Sequence, residues 1–205
     1  VGVGYNVLSG LQTGTYNTVI GKGAGAATVD VDKAVIIGSA AGEANLTSAA
    51  DGTVAIGFEA AKALTSGQQS IFIGHRAGLE HTTGSYNTVM GYNAMNDTGS
   101  GNCPESIHNV FIGTDSGGGT WATNDCNYNT AVGSQTMIGV MNDSLGNVAM
   151  GYGALNVLST GDYNTAIGYL AGDGMTGGNH YNTAMGAYAL SAACGASNVA
   201  MGYAA

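Results

Sequence analysis

One feature constrains this chain above all others: a glycine preceded by an aliphatic residue returns every 16 to 22 residues from one end to the other. These marker glycines are Gly4, Gly21, Gly38, Gly57, Gly74, Gly91, Gly113, Gly133, Gly151, Gly168, Gly186 and Gly202. A period of this length, repeated many times, is typical of a solenoid whose units stack only on their neighbours. No window shows a sustained helical period. We therefore expect residues 1–205 to form one all-β domain, a parallel β-solenoid of about twelve rungs.

The residues just before each marker glycine alternate as in a β-strand. The residue one before the glycine is always aliphatic (the Ile/Met column), and the residue three before it is always β-branched (the Val/Thr column). Because side chains of a strand alternate between its two faces, these columns share a face. We expect that face to line the inside of a coil that has two short strands per rung. The predicted rung core is Ile20, Ile37, Ile56, Ile73, Met90, Ile112, Val132, Met150, Ile167, Met185 and Met201.

Small residues occupy the intervening positions. The residue two before the marker glycine is Ala in the last units and larger earlier, as in Ala166 and Phe72 (the Ala/Phe column). A second Ala column lies three residues after the glycine, as in Ala24 and Ala171. Small apolar side chains that face outward suit the close approach of another backbone, so we interpret both columns as a subunit interface. A solvent-exposed Ala face is the alternative.

Asparagine and tyrosine are equally ordered. Asn recurs four residues before the marker glycine (the Asn column), and stacked amides can hydrogen-bond from rung to rung. Ten of the 11 tyrosines lie either five residues before the glycine or one residue after it. We interpret both sets as ladders on the outside of the coil, where stacked rings stiffen the rod. Contact between exposed tyrosines and sugar rings is the alternative function.

The two longest units run from Gly91 to Gly113 and from Gly113 to Gly133, and we expect their extra residues to form adjacent loops. Loops on a regular scaffold often carry recognition. The candidate receptor contacts there are Trp121, Pro104 and His108. Cys103 and Cys126 have nearly the same phase in neighbouring rungs, which places them within reach of a disulfide. Two buried thiols are an equally supported alternative.

Catalytic and metal-binding patterns are not apparent in the sequence. His75 and His81 lack a metal-ligand spacing, and Asp30 with Asp32 supplies only two carboxylates. The net charge is −9, and all Lys and Arg precede residue 77, so phosphate-rich partners are repelled. No apolar run approaches the roughly 18 residues of a membrane span. We therefore expect no enzyme activity, cofactor, metal, nucleic-acid partner or membrane insertion.

The repeat as a whole resembles a known family. Units such as Asn-Thr-Ala-Ile-Gly-Tyr at 164–169, joined by Thr-Gly-x-Tyr-Asn, are similar to the YadA-like head repeats of trimeric autotransporter adhesins and to bacteriophage and viral tail-fibre repeats. The resemblance covers the whole chain, although these units are longer and richer in Tyr than the adhesin repeat. It implies a left-handed β-roll, a homotrimer, an extracellular location on a virion fibre or bacterial surface, and a host cell-surface receptor or glycan as partner.

The expected function is therefore that of a structural and adhesive segment of a longer fibre. An ice-binding or other ligand-binding β-solenoid is the alternative, but ice binding needs flat outward arrays of Thr, and we expect the Val/Thr column to lie inside. A polysaccharide-degrading β-helix is a third possibility, disfavoured because the acidic residues are dispersed among turns.

Overall fold

The structure, a computed structural model, describes residues 1–98, 105–122 and 126–205. Twelve short strands form one parallel sheet in chain order, and each strand pairs with its sequence neighbours. They are β1 (Gly2–Val3), β2 (Thr18–Ile20), β3 (Val35–Ile37), β4 (Val54–Ile56), β5 (Ile71–Ile73), β6 (Thr88–Met90), β7 (Val110–Ile112), β8 (Thr130–Val132), β9 (Val148–Met150), β10 (Thr165–Ile167), β11 (Thr183–Met185) and β12 (Val199–Met201). The predicted all-β parallel solenoid is confirmed, with the strand of each rung ending at its marker glycine.

Among the described residues, the rest of each rung consists of turns, bends and irregular segments, apart from one 3-10 helix at Ser48–Ala50 and an isolated bridge between Asn127 and Leu145. The expected second strand per rung is therefore wrong. Residues two and four positions after the marker glycine, such as Tyr188 and Leu190, have positive φ angles of 60° and 49°. Left-handed residues interrupt an extended strand, so the chain turns back here instead of forming a second ladder. No described helix has the length and apolar character needed to cross a bilayer.

Strand register is the same along the rod. Thr165 lies between Val148 and Thr183, and Ile167 lies between Met150 and Met185. The Val/Thr and Ile/Met columns are therefore continuous rows that run along the axis. The sequence columns correspond to rows of residues in the structure, because each marker glycine holds its rung in phase with the next.

The burial of the two strand faces is the reverse of the prediction. The Ala/Phe column is buried, and Ile36, Phe72 and Ala166 are 0% exposed. The Ile/Met column lies on the outer face, where Ile20 is 40% and Met150 is 43% exposed. The rung core proposed from the sequence is wrong for all its members: Ile20, Ile37, Ile56, Ile73, Met90, Ile112, Val132, Met150, Ile167, Met185 and Met201.

The narrow interior explains this reversal. The returning half of each rung places the Ala column against the Ala/Phe column, and Ala24, Ala77 and Ala171 are 0% exposed. The expectation that these alanines form an outward interface is therefore wrong as well. Small side chains at these positions allow the two sides of the coil to approach closely, and the side chains of the Val/Thr and Ile/Met columns lie outside.

Side-chain sizes are matched within several rungs. Each Phe in the Ala/Phe column goes with Gly six residues later, as in Phe72 and Gly78, where an added Cβ would lie 2.2 Å from the phenyl ring. In other rungs an alanine in that column goes with a large buried residue at the same spacing, as in Ala131 with Met137 and Ala149 with Leu155. The pairs Ala55 with Ala61 and Ala166 with Gly172 do not follow this pattern.

The Asn column lies inside the coil rather than outside it. Asn164 donates through its backbone N–H and its Nδ2 to Oδ1 of Asn147, at 2.9 and 3.1 Å, and Nδ2 also donates to the carbonyl of Asn179 at 2.7 Å. The same pattern links Asn109, Asn129 and Asn147. The predicted rung-to-rung bonds are present, and their burial lets them satisfy backbone groups at the turn into each strand.

Candidate functional site

The largest surface feature is the outer sheet face, which we define as the Val/Thr and Ile/Met columns of β1 to β12. Its members are half-buried to exposed, and Met90, Met185 and Met201 are 36%, 39% and 67% exposed. At about 4.8 Å per rung, this face is on the order of 50 Å long. A continuous row of aliphatic side chains of this length is unusual on the surface of a monomer.

Aromatic ladders flank the outer sheet face on both sides. On the side that leads into each strand, His108 lies between Tyr86 and Tyr128, with ring centroids 4.8 and 5.2 Å away. On the side that follows the marker glycine, His75 lies between Phe58 and Tyr92, both at 5.1 Å. Rings stacked in this way cover one another's faces, so they contribute mainly to the stiffness of the rod.

Of the sequence-predicted receptor contacts, the structure describes Trp121, which is buried, and His108, which is exposed. Trp121 is 1% exposed, and its indole Nε1 donates to the carbonyl of Gly117 at 2.9 Å. Its ring packs edge-on against Phe111. A receptor contact through Trp121 is therefore wrong, because the ring fills the rung core. His108 is exposed but belongs to an aromatic ladder, and Pro104 lies outside the described residues.

The predicted disulfide between Cys103 and Cys126 also involves a residue outside the described ranges. Cys126 itself is buried, and its backbone N–H donates to Oγ of Ser106 at 2.9 Å. Among the described residues, no three His, Cys, Asp or Glu side chains converge in the way a metal site requires.

A charged network, which the sequence reasoning missed, lies beside the Phe58 ladder. Glu59 accepts hydrogen bonds from Nζ of Lys62 and from Nε of Arg76, both at 2.8 Å. Nζ of Lys62 also lies 3.6 Å from Oε2 of Glu43. These bonds, first from Lys62 and then from Arg76, lower the pKa of the Glu59 carboxyl. The sequence does contain a signal for this contact. Glu59 and Arg76 each follow their marker glycine by two residues, so they occupy the same position in neighbouring rungs.

Two adjoining cavities share this network. The larger has a volume of about 530 Å³ and is lined by Glu43, Ala44, Glu59, Lys62, Ala63, Leu79 and Glu80. The smaller, of about 320 Å³, lies toward Tyr5 and Phe58. Burial, together with the nearby Asp97 carboxylate, raises the pKa of Glu80 at the far end of the larger cavity. The larger cavity thus combines three carboxylates and one ammonium group with an apolar Ala44, Ala63 and Leu79 surface, and the smaller cavity has two Lys and two Glu side chains.

No family model, curated protein or solved structure matches this chain. The class of protein is defined by the fold itself: a β-solenoid repeat protein with a narrow core, an aliphatic outer sheet face and stacked aromatic ladders.

Proposed function

We propose that this chain is a structural segment of a homotrimeric extracellular fibre, and that three copies pack through their outer sheet faces. The observation that carries the proposal is that the Ile/Met column faces outward along the strands of the rod. An aliphatic face of this size is stabilised when a partner removes it from water. Three copies of one rod can cover their faces mutually around a shared axis.

The dimensions of the outer sheet face agree with this assembly. With its flanking aromatic ladders the face is about 20 Å wide, which gives on the order of 1,000 Å² per chain. Stable protein interfaces typically bury about 800 Å² per partner. The repeat pattern supports the same conclusion, because the family that it resembles forms left-handed trimeric rods. Attachment to a host receptor or glycan is the role we propose for such a fibre on a virion or a bacterial surface.

The test is the molar mass of the purified chain in solution. Light scattering is expected to give three times the chain mass of 20.3 kDa. Ile73→Lys places a charge in the middle of the outer sheet face and is expected to shift the mass toward that of a single chain. Ala27→Lys adds the same charge on an exposed turn elsewhere and serves as the matched control. A monomeric wild type, or a trimer indifferent to Ile73→Lys, would overturn the proposal.

Ice binding is a second candidate because the structure removes the reason for setting it aside. The Val/Thr column faces outward, and Thr18, Thr88, Thr130, Thr165 and Thr183 lie on it. The neighbouring column of Ile and Met is more apolar than the paired Thr rows that ice binding favours. Inhibition of ice recrystallisation at micromolar concentration by a monomeric chain would favour this function over the fibre.

A further inference from the structure

One aromatic ladder is interrupted twice, by Lys22 and Ser39 near the start of the rod and by Thr114 and Ser134 farther along, and the first interruption lies beside the charged network. The positions directly after the first five marker glycines hold Tyr5, Lys22, Ser39, Phe58 and His75. Phe58 and His75 stack at 5.1 Å with an interplanar angle of 26°, and the stack continues to Tyr92. The two rungs before Phe58 contribute no ring, so one face of Phe58 is covered and the other faces an opening.

The smaller cavity occupies this interruption. It is lined by Tyr5, Asn6, Lys22, Gly23, Ser39, Ala40, Glu43, Phe58, Glu59 and Lys62, and its volume is about 320 Å³. Tyr5 and Phe58 are 78% and 44% exposed at its two ends. The two rungs without a ring place Tyr5 and Phe58 roughly 10 Å farther apart along the axis than two rings in direct stacking contact. A ring-shaped ligand that entered there would continue the stack on Phe58.

Fixed polar groups line one side of the opening. The Glu59 carboxylate is held by Lys62 and Arg76 at 2.8 Å each, and its side chain is only 15% exposed. Lys62 supplies an ammonium group, and Glu43 a second carboxylate, on the same wall. Hydrogen-bond acceptors and a donor are therefore already positioned beside a free aromatic face, an arrangement that reduces the ordering cost of binding.

The charges select the class of ligand. Glu43, Glu59 and Glu80 line the joined cavities together with Lys22 and Lys62, so both signs of charge are present and a neutral polar ligand fits better than an ion of either sign. A flat hydrocarbon guest would form no hydrogen bond with these groups. A neutral sugar ring has an apolar face to pack on an aromatic ring, and hydroxyl groups that donate to carboxylates and accept from an ammonium group.

We propose that the opening between Tyr5 and Phe58 binds a neutral hexopyranose unit of a glycan, with its apolar face on Phe58 and its hydroxyls on Glu59, Lys62 and Glu43. The larger adjoining cavity, with its Ala44, Ala63 and Leu79 floor, receives the next sugar of the chain. This inference rests on the proposed attachment function, because it names the chemical class that the fibre would contact.

The test uses immobilised neutral and acidic glycans, with the full chain as the probe. Wild type is expected to bind neutral hexose-containing glycans, and Phe58→Ala to reduce that binding at least tenfold. Ser39→Tyr supplies a missing ring and fills the opening, so it is expected to abolish binding while the thermal midpoint stays equal or rises. Tyr169→Ala is the matched control, since Tyr169 lies in the same column but has a ring on either side, Tyr152 and Tyr188, each with its centroid 5.4 Å away.

Binding confined to acidic glycans, no binding to any neutral glycan, or full binding by Ser39→Tyr would overturn this site. Light scattering on the same samples separates the two proposals. A trimer that binds no neutral glycan leaves the fibre standing and removes the site, whereas a monomer that binds through Phe58 keeps the site and removes the fibre.

Discussion

At the scale of single residues, the marker glycines are required because their backbone conformation and the nearness of the next rung exclude a side chain. Their φ angles lie between +118° and +141°, a region that side-chain-bearing residues rarely adopt. A Cβ on Gly74 would lie 2.3 Å from the carbonyl oxygen of Gly91 in the next rung, and the same contact recurs along the stack. The glycine column is thus a line along which neighbouring backbones approach too closely to admit a Cβ.

Gly74→Ala is therefore expected to destabilise the fold by about 3 kcal/mol or more, because backbone strain and a backbone clash act together. Gly23→Ala is the matched control, since Gly23 also has a positive φ, of 68°, but an added Cβ there meets no atom within 4 Å. Its expected cost is about 1 kcal/mol. Urea denaturation of both variants measures the difference, and equal costs would contradict the stacking geometry.

At the scale of the element, several rungs contain a pair of complementary side chains. Phe72 with Gly78 and Phe111 with Gly117 place the large side chain on the strand, whereas Ala131 with Met137 places it on the turn. Met137 has a φ of 49° there, so the turn accepts a large side chain in the left-handed conformation. In these rungs one large side chain fills the core from either side.

Moving the large side chain of one rung from the strand to the turn tests whether the two positions are paired. Phe72→Ala alone is expected to cost about 3–5 kcal/mol through the cavity that it leaves. Gly78→Met alone is expected to clash with the Phe72 ring, whose atoms lie nearest to an added Cβ at that position. The double variant is expected to recover at least half of the loss. A double-mutant cycle from chemical denaturation measures the coupling, and additive costs would contradict the pairing.

At the scale of the whole molecule, charge is distributed unevenly along the rod. Residues 77–205 contain eight Asp or Glu and no Lys or Arg, whereas the first 76 residues hold all four cations. The ion pairs of Glu59 with Lys62 and Arg76 belong to the first part. Most of the rod therefore repels itself, and in a parallel trimer the like charges of three copies would lie side by side.

Salt is consequently expected to stabilise the protein. Raising sodium chloride from 10 to 300 mM shortens the Debye length from about 30 Å to below 10 Å and screens this repulsion. The thermal unfolding midpoint should rise by a few degrees, with an equal rise in choline chloride, since screening does not depend on the cation. A falling midpoint would show that the ion pairs around Glu59 outweigh the repulsion.

Much of the fold was readable from the sequence because the relevant rules are local. Marker glycines and β-branched residues at constant offsets set the period, the position of each strand and the register between neighbours. Stacked Asn amides and tyrosines also followed from their spacing. The site beside Phe58 was not readable, since it depends on residues such as Glu59 and Arg76 that meet only when successive rungs stack.

The sequence alone determined that Ile167 and Thr165 share a face and that Ala166 occupies the opposite one, because strand alternation is a property of the backbone. Only the tertiary structure decided which of these faces lies inside. The alternation of side chains does not by itself say which face of the strand lies inside. That depends on how closely the returning turns approach the strand. Small residues such as Ala171 allow that approach, so the Ala/Phe column lies in the core and the Ile/Met column on the outer sheet face.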